Sequence, residues 1–254
     1  MHSRRLRRTI SLVSGSLLRK IESLWGHPRL PELYPEFLFA TLGVICASTP
    51  ILEAAAQEAE LRSAEGDALC RVLAPYLREH AAEENGHDLW LLDDLEVCGI
   101  PRERVLERVP YVSAAVLAGT QHFWVRHAHP VAVLGYLAVL ENPASPEYLR
   151  EVARRTGIPL AAMSTLLRHA ELDVTHVAEF DAMLDGLELG QRELDVLTTS
   201  AIAAVAQLDA FFADVLEHFG RADEAELSHT IFRREASPVT AGSGEVASPS
   251  VLAV

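Results

Sequence analysis

The chain has 254 residues, 49% of them hydrophobic and 23% charged. One large domain or two small ones can bury a sizeable core at this length, and the composition excludes bulk disorder and fibrous repeats. Lys plus Arg is 22 against 36 for Asp plus Glu, a formal net charge of −14 that repels phosphate backbones and argues against general nucleic-acid binding.

The start, MHSRRLRRTISLVSGSLLRKIESLW, has a basic head. Arg19, Lys20 and Glu22 interrupt its apolar run before it reaches the quality of a signal peptide or a membrane span. Lys20 is the only lysine, so Schiff-base chemistry has little to rest on. A helix is expected over 9–25, then the breaker GHPRLP, an apolar stretch over 35–47 and a helix over 50–62, with prolines marking both breaks. A long helix is expected over 67–97, stopped at Cys98-Gly99-Ile100-Pro101 by the Gly and Pro that end helices.

A short helix follows Pro101, another covers 112–127, and Pro130 opens a third that ends near Asn142-Pro143. Pro146 starts a short helix ending at Gly157, Ile158-Pro159 begins a long one reaching about 187, and a final helix covers about 191–220. The segment from about 235, rich in Pro, Gly and Ser, cannot support packing and reads as a tail. Periodicity is helical almost throughout, so the fold class is all-α. Cys46, Cys70 and Cys98 are too far apart for a thiolate metal site or a disulfide framework, which suits a reducing cytoplasm.

The sharpest motif is His169-Ala-Glu-Leu-Asp173-Val-Thr-His176. At about 100° per residue, Asp173 lies about 40° from His169 and His176 about 20° to its other side, so the three share a helix face. Their axial spread of about 10 Å suits two ions about 3.5–4 Å apart better than one. Roughly 0.06 His-x3-acid-x2-His matches are expected by chance in a chain of this composition. In the earlier long helix, His80-Ala-Ala-Glu83-Glu84-Asn-Gly-His87 contains Glu-x-x-His, the arrangement by which helix-bundle di-iron proteins bring a carboxylate and an imidazole to one ion. Glu141 closes an uncharged run, and there a buried carboxylate needs either solvent or a cation. Mixed N/O ligation with open positions suits iron or manganese better than a closed structural zinc site.

HAAEENGHDLWLLDDL at 80–95, HPVAVLGYLAVLE at 129–141 and HAELDVTHVAEFDAML at 169–184 together resemble the haem-oxygenase-like di-iron oxidases and oxygenases, the iron-containing redox enzymes related in fold to TenA and PqqC. The resemblance spans about residues 35–220. It implies a single haem-oxygenase-like bundle of about seven core helices without haem, preceded by a helical segment over 1–34 and followed by an extension over 221–254. It carries the ligands of two Fe(II) ions, or manganese, onto Glu84, His87, Glu141, His169, Asp173 and His176, with Glu53 or Glu83 as candidates for a further carboxylate. A thiaminase of the TenA branch would need a cysteine within 130–141, which is lacking. His27, in a breaker cluster, does not suit haem.

The expected activity is O2-dependent oxidation of a small amine, amino acid or fatty acid, by N-oxygenation, oxidative decarboxylation or C–C cleavage. Trp90, Trp124, Arg126 and Tyr136, with His122 and Phe123, are candidate substrate contacts; Arg126 is suited to a carboxylate. Expected partners are the small-molecule substrate, O2 and an external electron donor, with no nucleic acid and no membrane, and a homodimer is compatible. The alternatives are a metal-free TenA/PqqC-like enzyme and a non-catalytic helical interaction protein.

Overall fold

The computed structural model describes the backbone of residues 1–141 and 145–224; the side chains of 172–175 and of 219–224 lie outside the description. The expected helix end at Asn142-Pro143 and the tail from about 235 also fall outside it.

Every regular element among the described residues is helical, in the order α1 (His2–Val13), α2 (Gly15–Trp25), α3 (Leu30–Ala64), α4 (Ala68–Glu84), α5 (His87–Val97), α6 (Arg102–Leu106), α7 (Val112–His127), α8 (Ala132–Leu140), α9 (Pro146–Thr156), α10 (Ser164–Gly186) and α11 (Gln191–Glu224). A short 3-10 turn, Leu160–Met163, leads into α10. The all-α expectation holds, and three boundaries differ from the sequence reading.

The N-terminal helix is two helices meeting at Ser14, whose hydroxyl donates to the Ile10 carbonyl. The apolar stretch and the helix after it are one helix, α3, which runs through Pro35 and Pro50. Each proline removes one i→i−4 bond, but Phe37, Leu38, Ile51, Leu52, Ala55 and Ala56 are all buried, and their packing holds the helix together across the gaps. The long helix over 67–97 is instead two, α4 and α5, separated at Asn85-Gly86. Gly86 has φ +92°, a left-handed conformation that a residue with a Cβ adopts only at a cost of about 1–2 kcal/mol.

α3 lies at the centre against α4, α5 and α7, and α8 packs on α11. Residues 132–139 of α8 are buried throughout, as its uncharged sequence requires. Contact with α11 is backbone to backbone at Gly135, where a Cβ would lie 2.3 Å from the Leu197 carbonyl oxygen and 2.8 Å from the Ala201 nitrogen. α1 grips α10 from outside: Arg7 pairs with Asp181 at 2.8 Å, and the Ser3 N–H and hydroxyl donate to Asp185.

Asp67 caps α4, accepting the Cys70 N–H at 3.0 Å, and lies 3.1 Å from His129 Nε2. Burial alone would raise the Asp67 carboxyl, but the Cys70 N–H and His129 hold it below the ordinary carboxylate value.

Two outcomes follow. Gly135→Ala forces α8 off α11 and should lower stability in urea unfolding by about 1–3 kcal/mol, the usual range for overpacking. Asp67→Ala should cost about 1 kcal/mol at neutral pH through loss of the cap. Because the folded carboxyl is lowered, the capping contribution is complete above the unfolded value of about 3.9 and is lost as pH falls through the folded value. Wild-type and variant melting curves should therefore converge in acid.

Candidate metal centre

The turn at Asn85-Gly86 decides how α4 and α5 present their polar groups. Glu84 ends one helix and His87 begins the next, so the two side chains approach each other, and Glu84 borders the cavity that Glu141 and His169 also line. His87 is buried and stacks on Trp90, with ring centroids 4.0 Å apart. Its Nδ1 lies 3.3 Å from Glu84 Oε2 and 3.1 Å from His169 Nε2. Glu84, His87 and His169 thus offer one ligand atom each, all within 4.8 Å of one another.

His169 is held in one tautomer. Its Nδ1 lies 2.9 Å from the Thr165 carbonyl oxygen, which can only accept, so Nδ1 carries the proton and Nε2 presents a lone pair to the cluster. A backbone carbonyl behind a ring nitrogen is the usual support of a metal-binding imidazole. Burial is the chief reason that His169 is shifted toward its neutral form. Burial works in the opposite sense on Glu84, but the hydrogen bond and charge of His87, with His169 and His80, hold that carboxyl below its usual range.

Thr165 is itself fixed from α5. Asp94, completely buried, accepts the Thr165 N–H at 2.9 Å and the Ser164 hydroxyl at 2.8 Å. It thereby satisfies the otherwise unpaired first turn of α10 and sets that helix against α5. Asp94 lies two turns after His87, so one carboxylate ties together the two helices that carry His87 and His169.

Glu141, just past α8, is 11% exposed, with Oε1 2.8 Å from Nε2 of His80, which is 6% exposed. The two are not aligned as a hydrogen bond, and His80 Nε2 and both Glu141 oxygens are buried without a hydrogen-bond partner among the described residues. Burial lowers His80's proton affinity, yet Glu141, Glu84 and Glu83 raise it overall. His176, on α10, sets its ring 6.0 Å from that of His80, edge to face.

The structure therefore gathers Glu84, His87 and His169 at one point, and Glu141 and His176 around His80 beside it. The backbone of α10 includes Asp173, whose side chain lies outside the described residues. Glu53 is exposed on α3 and lines neither cavity of the site; Glu83 stands 3.4 Å from His80 Nδ1, outside the cluster. His80 was missed in the sequence reading, although a signal was present. His80-x3-Glu84-x2-His87 has the same spacing as His169-x3-Asp173-x2-His176.

Two cavities adjoin the cluster. The inner one, about 60 Å³, is bounded by Glu84, Glu141, His80 and His169 and by the apolar Val44, Ile45, Leu52, Leu137 and Leu140, with Ser48 and Tyr136. The outer one, about 360 Å³, is lined by Tyr76, Glu79, His80, Glu83, His176, Glu179 and Met183. Of the candidate substrate contacts, Tyr136 lines the inner cavity, its buried hydroxyl without a hydrogen-bond partner among the described residues. Trp90 instead covers His87 from outside, with the Arg168 guanidinium 4.7 Å above its ring. Trp124 and Arg126 line neither cavity, and Arg126, like His122 and Phe123, is exposed on α7.

Asp67, Cys70 and His129 form a second cluster of different character. His129 Nδ1 accepts the Val131 N–H at 3.1 Å, so in the neutral ring Nε2 carries a proton toward Asp67 and has no lone pair there for a metal. Burial pushes the Cys70 thiol up to about 12. The cluster braces α4 against the start of α8.

Residues 56–210 match the family described as iron-containing redox enzyme, and the chain belongs to that family. A domain of unknown function with a haem-oxygenase-like fold from Shewanella denitrificans OS217 superimposes with a TM-score of 0.73 at 19% identity, covering 88% of this chain and 95% of that one. A TenA homologue from Pseudomonas syringae pv. tomato DC3000 gives a TM-score of 0.65 at 12% identity, covering 84% and 92%. These likenesses show the haem-oxygenase-like fold. Sequence comparison with curated proteins gives no significant match.

Asp94→Ala should leave the Thr165 N–H without its buried partner and lower stability by about 1–3 kcal/mol. Loss of this support for His169 should also weaken divalent-metal affinity about 10–100-fold, the usual effect of removing a group behind a ligand. Isothermal titration with Co(II) reads the second effect independently of the first.

Proposed function

We propose that this member of the iron-containing redox enzyme family is a non-haem di-iron oxidase or oxygenase. In this reading Glu84, His87 and His169 hold one Fe(II), while Glu141 and His176, with Asp173, hold the other, manganese being the alternative metal. The observation that supports it most is the convergence of Glu84, His87 and His169, whose ligand atoms lie within 4.8 Å of one another, beside two buried Glu141 oxygens that have no hydrogen-bond partner among the described residues. Such atoms are rare in folded proteins unless something binds them, and three carboxylates leave two divalent ions nearly neutralised. An inner cavity of about 60 Å³ is far below the several hundred Å³ of ordinary cofactor pockets, which favours separate ions over a haem.

When bound, ferrous iron supplies the electrons and open coordination positions with which O2 is activated. The chain's own groups do the rest. Thr165 and Asp94 keep the His169 lone pair directed inward. Glu84 is held ionised, and Val44, Ile45, Leu52, Leu137 and Leu140 exclude water. Burial raises the Tyr136 hydroxyl well above its ordinary value, against a smaller opposing effect of Ser48, so it remains a proton donor able to orient a substrate's polar group.

For the substrate we favour a small molecule with an alkyl part and an amine. The inner walls suit the alkyl part, and Glu79, Glu83 and Glu179 at the outer cavity favour approach of a cation. The accompanying partners are O2 and an external electron donor. A cytoplasmic setting is supported by the free Cys46, Cys70 and Cys98.

Anaerobic titration of the metal-stripped protein with Fe(II) should show uptake of about two ions per chain, as in helix-bundle di-iron carboxylate sites. Admission of air should then give a transient visible absorbance, with O2 consumption stimulated by small amines or amino acids. Absence of iron uptake, or substrate turnover that survives exhaustive chelation, would overturn the proposal.

A further inference from the structure

We infer that His80 is itself a metal ligand, and that the centre is built from two copies of one motif laid across each other. The inference rests on the di-iron reading above and extends its ligand set by a fourth imidazole.

Two His-x3-acid-x2-His triplets occur, His80-Glu84-His87 and His169-Asp173-His176, where roughly 0.06 are expected by chance. The fold pairs them crosswise. The last histidine of the first triplet meets the first of the second, His87 against His169, with ring centroids 4.8 Å apart at 88°. The first histidine of the first triplet meets the last of the second, His80 against His176, at 6.0 Å and 64°. At a metal–nitrogen distance of about 2.0–2.1 Å, two imidazoles sharing one ion have ring centres roughly 4.5–5 Å apart at ordinary coordination angles and about 6 Å at wide ones; the His87–His169 pair has the first spacing and the His80–His176 pair the second.

His80 has the surroundings of a ligand. It is 6% exposed, and among the described residues its Nε2 and both Glu141 oxygens lack hydrogen-bond partners. The 2.8 Å approach of Nε2 to Glu141 Oε1 lacks the alignment of a hydrogen bond, and two ligands of one cation stand at a similar separation. Behind it, Nδ1 lies 3.4 Å from the Glu83 carboxylate, the arrangement of carboxylate, histidine and metal found at many sites. Tyr76 stacks on the ring at 5.8 Å and 16°, which limits its rotation. Glu83, outside the cluster, thereby gains a role behind His80.

The structure thus assigns His87 and His169 to one ion and His80 and His176 to the other, with Glu141 beside His80. His80 borders both cavities, so its ligation also closes the inner cavity against the outer one.

The test uses full-length protein loaded with Co(II), read by equilibrium dialysis and visible absorption, with circular dichroism to confirm helical content. Wild type should bind about two Co(II). His80→Gln should retain one and bind the second about tenfold or more weakly, with altered d–d bands. Glu83→Gln should weaken the same ion about 10–100-fold. In the Co(II)-loaded wild type, hyperfine-shifted imidazole N–H resonances should number four. This count keeps the inference falsifiable if His80→Gln fails to fold. Two tightly bound Co(II) with unchanged bands in His80→Gln, or three imidazole signals in wild type, would overturn the role of His80 and leave the di-iron reading standing. Failure of wild type to bind Co(II) or Fe(II) would overturn both.

Discussion

A single buried carboxylate, Asp94, holds the site-bearing helices in register. Its oxygens take the N–H of Thr165 and the hydroxyl of Ser164, so the first turn of α10 is capped by a side chain from α5. The Thr165 carbonyl in turn receives the His169 Nδ1 proton. Backbone orientation thereby becomes imidazole orientation through two hydrogen bonds, each in surroundings where an unmade bond is costly. Burial raises the Asp94 carboxyl against the opposing effect of those bonds. The cost of enclosing the group is accepted where it fixes geometry.

The remaining architecture serves the same end by different means. α8 has no charged residue, so burial fixes its position, and Gly135 lets it press directly on α11. Glu141 is consequently delivered at the end of a helix that cannot shift. At the other side, α1 holds α10 through Arg7 and Ser3. Pro50 interrupts the hydrogen-bond ladder of α3 between Ser48 and Leu52, both of which line the inner cavity. Packing on either side of that proline preserves the wall.

Electrostatics and shape divide the work around the cluster. The inner walls are apolar and strengthen every charge interaction inside them, while the outer cavity carries glutamates and no lysine or arginine. The net charge of −14 therefore has a local counterpart at the mouth of the site.

Much of this was legible in the residues themselves. Helical periodicity established the all-α class, the uncharged run through 131–140 marked a buried helix, and the spacing of His169 and His176 placed both on the side of α10 that meets His87 and His80, because all three depend on local geometry that repeats every few residues. The splitting of the helix expected over 67–97, the continuity of α3 through two prolines and the partnership of His80 with Glu141 were decided only by tertiary structure. A proline or an Asn-Gly pair shifts local preference by a few kcal/mol at most, and burial of the neighbouring side chains tips the balance either way. His80 and Glu141 are 61 positions apart in the sequence, and no local periodicity links them; they meet because α4 and α8 enclose the same space.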